Sequence, residues 1–151
     1  MKKIKDIMAS PVHTANENDT LKDVALKMLD KNIGCLPILN DEGELVGFVS
    51  ETDFTAKKNA IPFSRNHAPK LFGKWLNEGG LELMYETSKT IKAKEIMSTP
   101  PIVIEQDEEI SKLIELIMKY NIHRIPVVDD GKLVGMVSRR DLLKLILSNR
   151  T

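Results

Sequence analysis

The chain has 151 residues, 42% of them hydrophobic and 29% charged, and its 22 Lys+Arg are balanced by 22 Asp+Glu. That neutrality gives it no global pull toward a polyanion such as nucleic acid, and the single cysteine, Cys35, excludes an intramolecular disulfide. No run approaches the ~18 apolar residues that a membrane span requires: Lys2, Lys3 and Lys5 resemble the charged start of a signal peptide, but Asp6, Ser10, Pro11 and His13 break up the stretch after them. A soluble globular protein of a reducing, cytoplasmic compartment is expected.

In chain order, a short extended segment at Val12–Thr14 leads to a helix. Its residues Leu21, Val24, Ala25, Met28 and Leu29 fall at i, i+3, i+4, i+7 and i+8, so they share one face. Thr20 with Asp23 resembles a capping box, and Asn32 suits the left-handed residue that ends a helix. Leu36–Leu39 and Leu45–Val49 are short apolar runs around Asp41-Glu42-Gly43, which reads as a hairpin. A short helix is expected after Thr52.

The segment from Lys57 to Ile91 starts as a polar loop and then carries Leu71, Phe72, Trp75 and Leu76 at helical spacing. That cluster is too apolar for a plain linker and is expected to dock on something. The bland reading is that it caps the molecule's own core. The sharper one is a lid or relay that begins just after Asp53.

Beyond it the first pattern returns: an extended segment at Ile102–Ile104, a helix with Ile110, Leu113, Ile114, Ile117 and Met118 on one face, and Asn121 to end it. Asp107-Glu108-Glu109 places acid at that helix's positive end. Ile125–Val128 and Leu133–Val137 then form a second hairpin around Asp129-Asp130-Gly131, and a helix runs over Asp141–Leu147.

The return is an internal repeat. Ile7-Met8 and Pro11 match Ile96-Met97 and Pro100 at an offset of 89 positions (96 less 7), which falls to 88 at Gly43 and Gly131 because Glu42 has no counterpart. Two copies of one β-α-β-β-α unit are implied, and neither can bury both faces of a small sheet alone. Expected boundaries are residues 1–56 for the first unit, 57–92 for a partly helical insert and 93–151 for the second.

Both copies end in Gly-x-x-Ser-x-x-Asp, Gly47–Asp53 and Gly135–Asp141. The glycine would let a ligand approach the backbone closely. Ser50 and Ser138 offer hydroxyls near the next helix's N-terminus, where phosphate is favoured. Asp53 and Asp141, three residues on, could accept both hydroxyls of a ribose. As plain structure, the serines would be helix caps and the aspartates first-turn charges. Duplication at unchanged spacing favours a nucleoside-phosphate site.

The Ile-Met-x-x-Pro segments, the strands holding Pro37 and Pro126, and the doubled Gly-h-Val-Ser-x-x-Asp (h, hydrophobic) resemble a tandem pair of CBS domains, a Bateman module, over residues 5–55 and 93–147. The resemblance implies an α+β fold of two such units packed as a pseudo-two-fold pair, with two clefts for adenine nucleotides (AMP, ADP or ATP) or S-adenosylmethionine. One would take Ser10, His13, Ile33, Gly34, Cys35, Met136, Ser138, Arg140 and Asp141. The other would take Phe48, Ser50, Thr52, Asp53, Thr99, Ile102, Ile122, His123 and Arg124. His123 and Arg124 stand where family members often place phosphate-directed basic residues. Gly34 and Cys35 depart from that pattern in the first copy, as Glu51-Thr52 does beside Arg139-Arg140, so the two clefts are expected to differ.

His13, Cys35 and His123 raise a metal or redox site, but no CxxC or HxxxH spacing supports one. The repeated polar groups are suited to holding a ligand and include no paired acid and base, so regulation rather than catalysis is expected. The competing reading is a ligand-free dimerisation and protein-interaction module. Leu142, Leu143, Leu145, Ile146 and Leu147 cover more than one face of the last helix, which points to a homodimer, with an unknown regulated protein as the further partner.

Overall fold

The computed structural model describes residues 2–54 and 85–148. The expected helical cluster at Leu71, Phe72, Trp75 and Leu76 lies outside them. The chain divides into two compact units: a continuous one, His13–Pro100, and a split one, Met1–Val12 with Pro101–Thr151.

The continuous unit runs β1 (Ala15–Asn16), α1 (Leu21–Asp30), β2 (Cys35–Leu39), β3 (Leu45–Ser50), a 3-10 turn at Glu51–Phe54, and the single helical turn α2 (Ala93–Ile96). β1 pairs parallel with β2, and β2 antiparallel with β3. Thr20 caps α1 as its sequence implies: its hydroxyl accepts from the Asp23 amide at 3.2 Å, and Asp23 accepts from the Thr20 amide at 3.2 Å. Asn32, at φ 53°, turns the chain out of the helix. The core is Ala15, Leu21, Val24, Met28, Leu36, Ile38, Val49, Ala93 and Ile96.

The split unit repeats this order with β4 (Ile104–Glu105), α3 (Ile110–Tyr120), β5 (Arg124–Asp129), β6 (Lys132–Ser138), a 3-10 turn at Arg139–Leu142 and α4 (Leu143–Ser148). Asn121 is again left-handed, at φ 51°. Its hairpin is tighter by one residue: Asp130 (φ 52°) and Gly131 (φ 83°) both take positive φ, the two-residue turn that matches strand twist. In the first hairpin the extra Glu42 is absorbed by Asn40, whose side-chain oxygen accepts the amides of Glu42 (3.0 Å) and Glu44 (2.8 Å).

One sequence expectation changes. The five-residue helical faces are narrower than their spacing suggests. Leu21, Val24 and Met28 are buried, as are Leu113 and Ile117 together with Leu116 from outside the expected face, but Leu29 is 81% exposed, Ile114 44% and Met118 78%. The i+4 and i+8 positions rotate away from a sheet of only three strands, which a narrower stripe suffices to cover.

The Ile-Met lead-in segments pack within these units as follows. In the split unit, the Ile4 amide donates to Glu108 O (3.0 Å), the Lys5 amide to Gln106 O (2.9 Å), and Ala9 pairs with Met136 beside β6. In the continuous unit, the Ala93 amide donates to Asp19 O (2.7 Å), the Lys94 amide to Glu17 O (2.9 Å), and Ser98 pairs with Phe48 beside β3. Each lead-in thus packs on the sheet of the repeat it does not precede.

Candidate nucleotide site

Both Gly-x-x-Ser-x-x-Asp segments sit where the outer strand of a three-stranded sheet, β3 or β6, passes into a 3-10 turn. In the split unit Asp141 Oδ2 accepts from the Ser138 amide at 2.8 Å and from its hydroxyl at 3.1 Å, and the Asp141 amide donates to Ser138 Oγ at 3.3 Å. In the continuous unit Asp53 Oδ2 accepts from the Ser50 amide at 2.8 Å, with the hydroxyl at 3.4 Å. The serine cap that plain structure predicts is therefore present at Ser138, and the carboxylate bonded back to the serine amide is present in both copies. Each aspartate remains only half-buried, so a carboxylate pre-oriented by its cap also faces solvent.

The loop before each hairpin closes on the same turn. The Glu51 amide donates to Gly34 O at 3.0 Å, and the Arg139 amide to His123 O at 3.0 Å. Across the hairpins Cys35 pairs with Ser50, and Arg124 with Ser138. The continuous unit thus gathers Gly34, Cys35, Ser50 and Asp53 around one turn, and it also contains His13, Ile33, Phe48, Thr52 and Thr99. The split unit gathers His123, Arg124, Ser138 and Asp141, and contains Ser10, Ile102, Ile122, Met136 and Arg140. The members that the resemblance assigns to any one cleft are shared between the two units. Cys35 is buried; His13, His123, Arg124 and Arg140 are exposed.

The signature glycines do something other than admit a ligand. A Cβ on Gly47 would run into the Met97 side chain, and one on Gly135 would meet Met8 Sδ at 2.6 Å and the Ala9 carbonyl oxygen at 3.0 Å. The methionine of each lead-in occupies the space that the glycine leaves. Thr99 is likewise committed: its hydroxyl donates to Val46 O at 2.9 Å, at the irregularity where β3 shifts register.

Sequence reasoning missed Lys144. Its ammonium lies 3.0 Å from Asp141 Oδ1 and donates to Ile7 O at 2.8 Å. The i+3 spacing from Asp141 was the available signal. Arg139 turns back, placing Nε 3.3 Å from Ile122 O and Nη2 3.3 Å from Asn121 Oδ1. Among the described residues no group of three or more His, Cys, Asp or Glu is placed to hold a metal, and no helix is long and apolar enough to cross a membrane.

The CBS domain family model matches residues 4–58 and 93–148. The chain belongs to that family, as a tandem CBS pair. It is 34% identical over 155 residues to an uncharacterised protein of Methanocaldococcus jannaschii, covering 95% of this chain and 90% of that one. Other relatives are longer: the chain spans 61% of an uncharacterised Methanopyrus kandleri protein and 32% of a further M. jannaschii protein. Among solved structures, the CBS domain of a CBS domain containing membrane protein from Sphaerobacter thermophilus is 38% identical, with TM-score 0.74, over 95% of this chain and 86% of that one. The CBS domain pair of protein MJ0100, in complex with 5′-methylthioadenosine and S-adenosyl-L-methionine, is 26% identical, with TM-score 0.69, over 99% of each chain.

Proposed function

We infer that this CBS pair is a regulatory sensor of adenosine-containing ligands, adenine nucleotides first among them, and that it passes occupancy to a partner protein. One observation carries the reading: the same half-buried, pre-oriented Ser-x-x-Asp carboxylate is built twice, each time beside a loop backbone that abuts the turn. A carboxylate held this way suits a ribose diol. Arg124 and Arg140 supply exposed positive charge for phosphate, and the exposed His123 imidazole stands beside Arg124 in sequence. Both ligands of the MJ0100 pair carry an adenosine moiety, which supports the same ligand class here. Ser10, His13, Ile33, Gly34, Cys35 and Met136 belong with Ser138, Arg140 and Asp141 in this reading, and Thr99, Ile102, Ile122, Phe48 and Thr52 with His123, Arg124, Ser50 and Asp53.

The test is thermal unfolding with AMP, ATP and S-adenosylmethionine. A ligand that binds only the native state adds about 2.7 kcal/mol at a hundredfold excess over Kd. No shift with any of the three would leave the ligand-free interaction module. The exposure of Leu143 (57%), Ile146 (66%) and Leu147 (63%) on α4 supports self-association in either case. Light scattering at the monomer mass of 17.0 kDa at micromolar concentration would rule that out.

A further inference from the structure

We propose that Lys144 is a latch on the Asp141 carboxylate: a positioning residue that sets affinity for a vicinal diol at this turn and ties its occupancy to the segment around Ile7. The inference rests on the reading of Asp141 as a diol acceptor. A carboxylate offers about four acceptor positions. At Asp141 two are taken on Oδ2, by the amide and hydroxyl of Ser138, and one on Oδ1, by Lys144. One position remains, whereas a ribose diol needs two. The Ser138 amide is fixed by the strand-to-turn backbone. Lys144 reaches Asp141 on a flexible stem with its side chain 51% exposed, against 15% for Asp141, so it is the partner most easily displaced.

Lys144 also holds Ile7 O at 2.8 Å. Ile7 is followed by Met8, which fills the space at Gly135, and by Ala9, which pairs with Met136. A diol that takes Oδ1 from Lys144 therefore breaks the bridge between the Asp141 turn and this segment. The sequence position aligned with Lys144 (144 less 88) is Ala56, which carries no charge.

The experiment is calorimetric titration of the full chain with adenosine and with 2′-deoxyadenosine, in an Asp53→Ala background that silences the other turn. Neither probe carries phosphate, so direct attraction between lysine and ligand does not enter. Lys144→Met is expected to tighten adenosine by about two- to fivefold, the size of a partly exposed ion pair, and to leave 2′-deoxyadenosine, which lacks one hydroxyl, unchanged. Raising salt from about 0.05 to 0.5 M should tighten adenosine binding in the parent by screening the pair, and should do so less in Lys144→Met. Lys144→Arg should behave as the parent. Unchanged or weaker adenosine binding in Lys144→Met, or an equal gain for both nucleosides, overturns the latch; either would mean that the diol displaces the Ser138 hydroxyl or none of these groups. Failure of the parent to bind adenosine, or binding insensitive to Asp141→Ala, defeats the nucleoside reading itself and the latch with it.

Discussion

At Asp53 and at Asp141 the chain builds the same turn with different neighbours. In both, a serine amide and hydroxyl orient one carboxylate oxygen, and the preceding loop's carbonyl takes the next amide. Around Asp53 the flanking residues are Gly34, Cys35, Glu51 and Thr52. Around Asp141 the corresponding positions hold His123, Arg124, Arg139 and Arg140, with Lys144 added. Backbone geometry was duplicated while charge was not. The turn supplies a shape common to both repeats, and the side chains beside it differ. Among the described residues, the basic side chains beside these two turns are all in the split unit.

The largest effects should come from the two sheets. Leu36 and Ile125 are both 0% exposed on central strands, so Leu36→Ala and Ile125→Ala should each cost about 2–5 kcal/mol in urea unfolding. A loss below about 1 kcal/mol in either would mean that its unit contributes little to the measured stability. Next, Asp141→Ala and Asp53→Ala should each remove charge-assisted contacts of about 1.5–3 kcal/mol from AMP binding. Calorimetry should resolve unequal losses, and identical ones would erase the electrostatic difference between the turns. If both variants bind as tightly as the parent, the carboxylates are caps and nothing more.

Of intermediate size are the glycines, where overpacking costs about 1–3 kcal/mol. Gly135→Ala should exceed Gly47→Ala, since the added methyl meets the Ala9 carbonyl oxygen as well as a methionine, and backbone cannot swing aside. Melting temperatures in the reverse order would show that the lead-in at Ala9 yields more readily than it looks. Smallest is the helix cap. Thr20→Ala should lose about 1 kcal/mol, while Glu109, at the start of α3, makes no side-chain cap bond and Glu109→Ala should change stability by about 0.5 kcal/mol or less. Equal effects would mean that the capping difference is energetically empty.

Much of this was readable from residue order. The tighter second hairpin reflects the missing counterpart of Glu42, the helix ends were marked by Asn32 and Asn121, and the doubled turn by Ser50, Asp53, Ser138 and Asp141. The pairing of lead-ins with sheets was not readable. Ile7-Met8 and Ile96-Met97 are the same dipeptide, and Gly47 and Gly135 offer each methionine the same gap. Local pattern is degenerate between the two arrangements. The width of the buried stripe on α1 and α3 escaped for a related reason. Periodicity places Leu29 and Met118 near the core face, but only the extent of the sheet decides whether anything covers them.

The placement of Ile4 and Ile7 among residues 104–137 has a consequence for how the polypeptide is made. The ribosome delivers residues in order, so the unit spanning His13–Pro100 can close as soon as that stretch has emerged. Ile4 and Ile7 leave the tunnel earlier still, yet their partners Leu113, Ile125, Val127 and Val137 appear only many seconds of elongation afterwards at about 5–20 residues per second. During that interval two large aliphatic side chains remain without their core. The half of the molecule that carries the charged turn is therefore begun first and finished last.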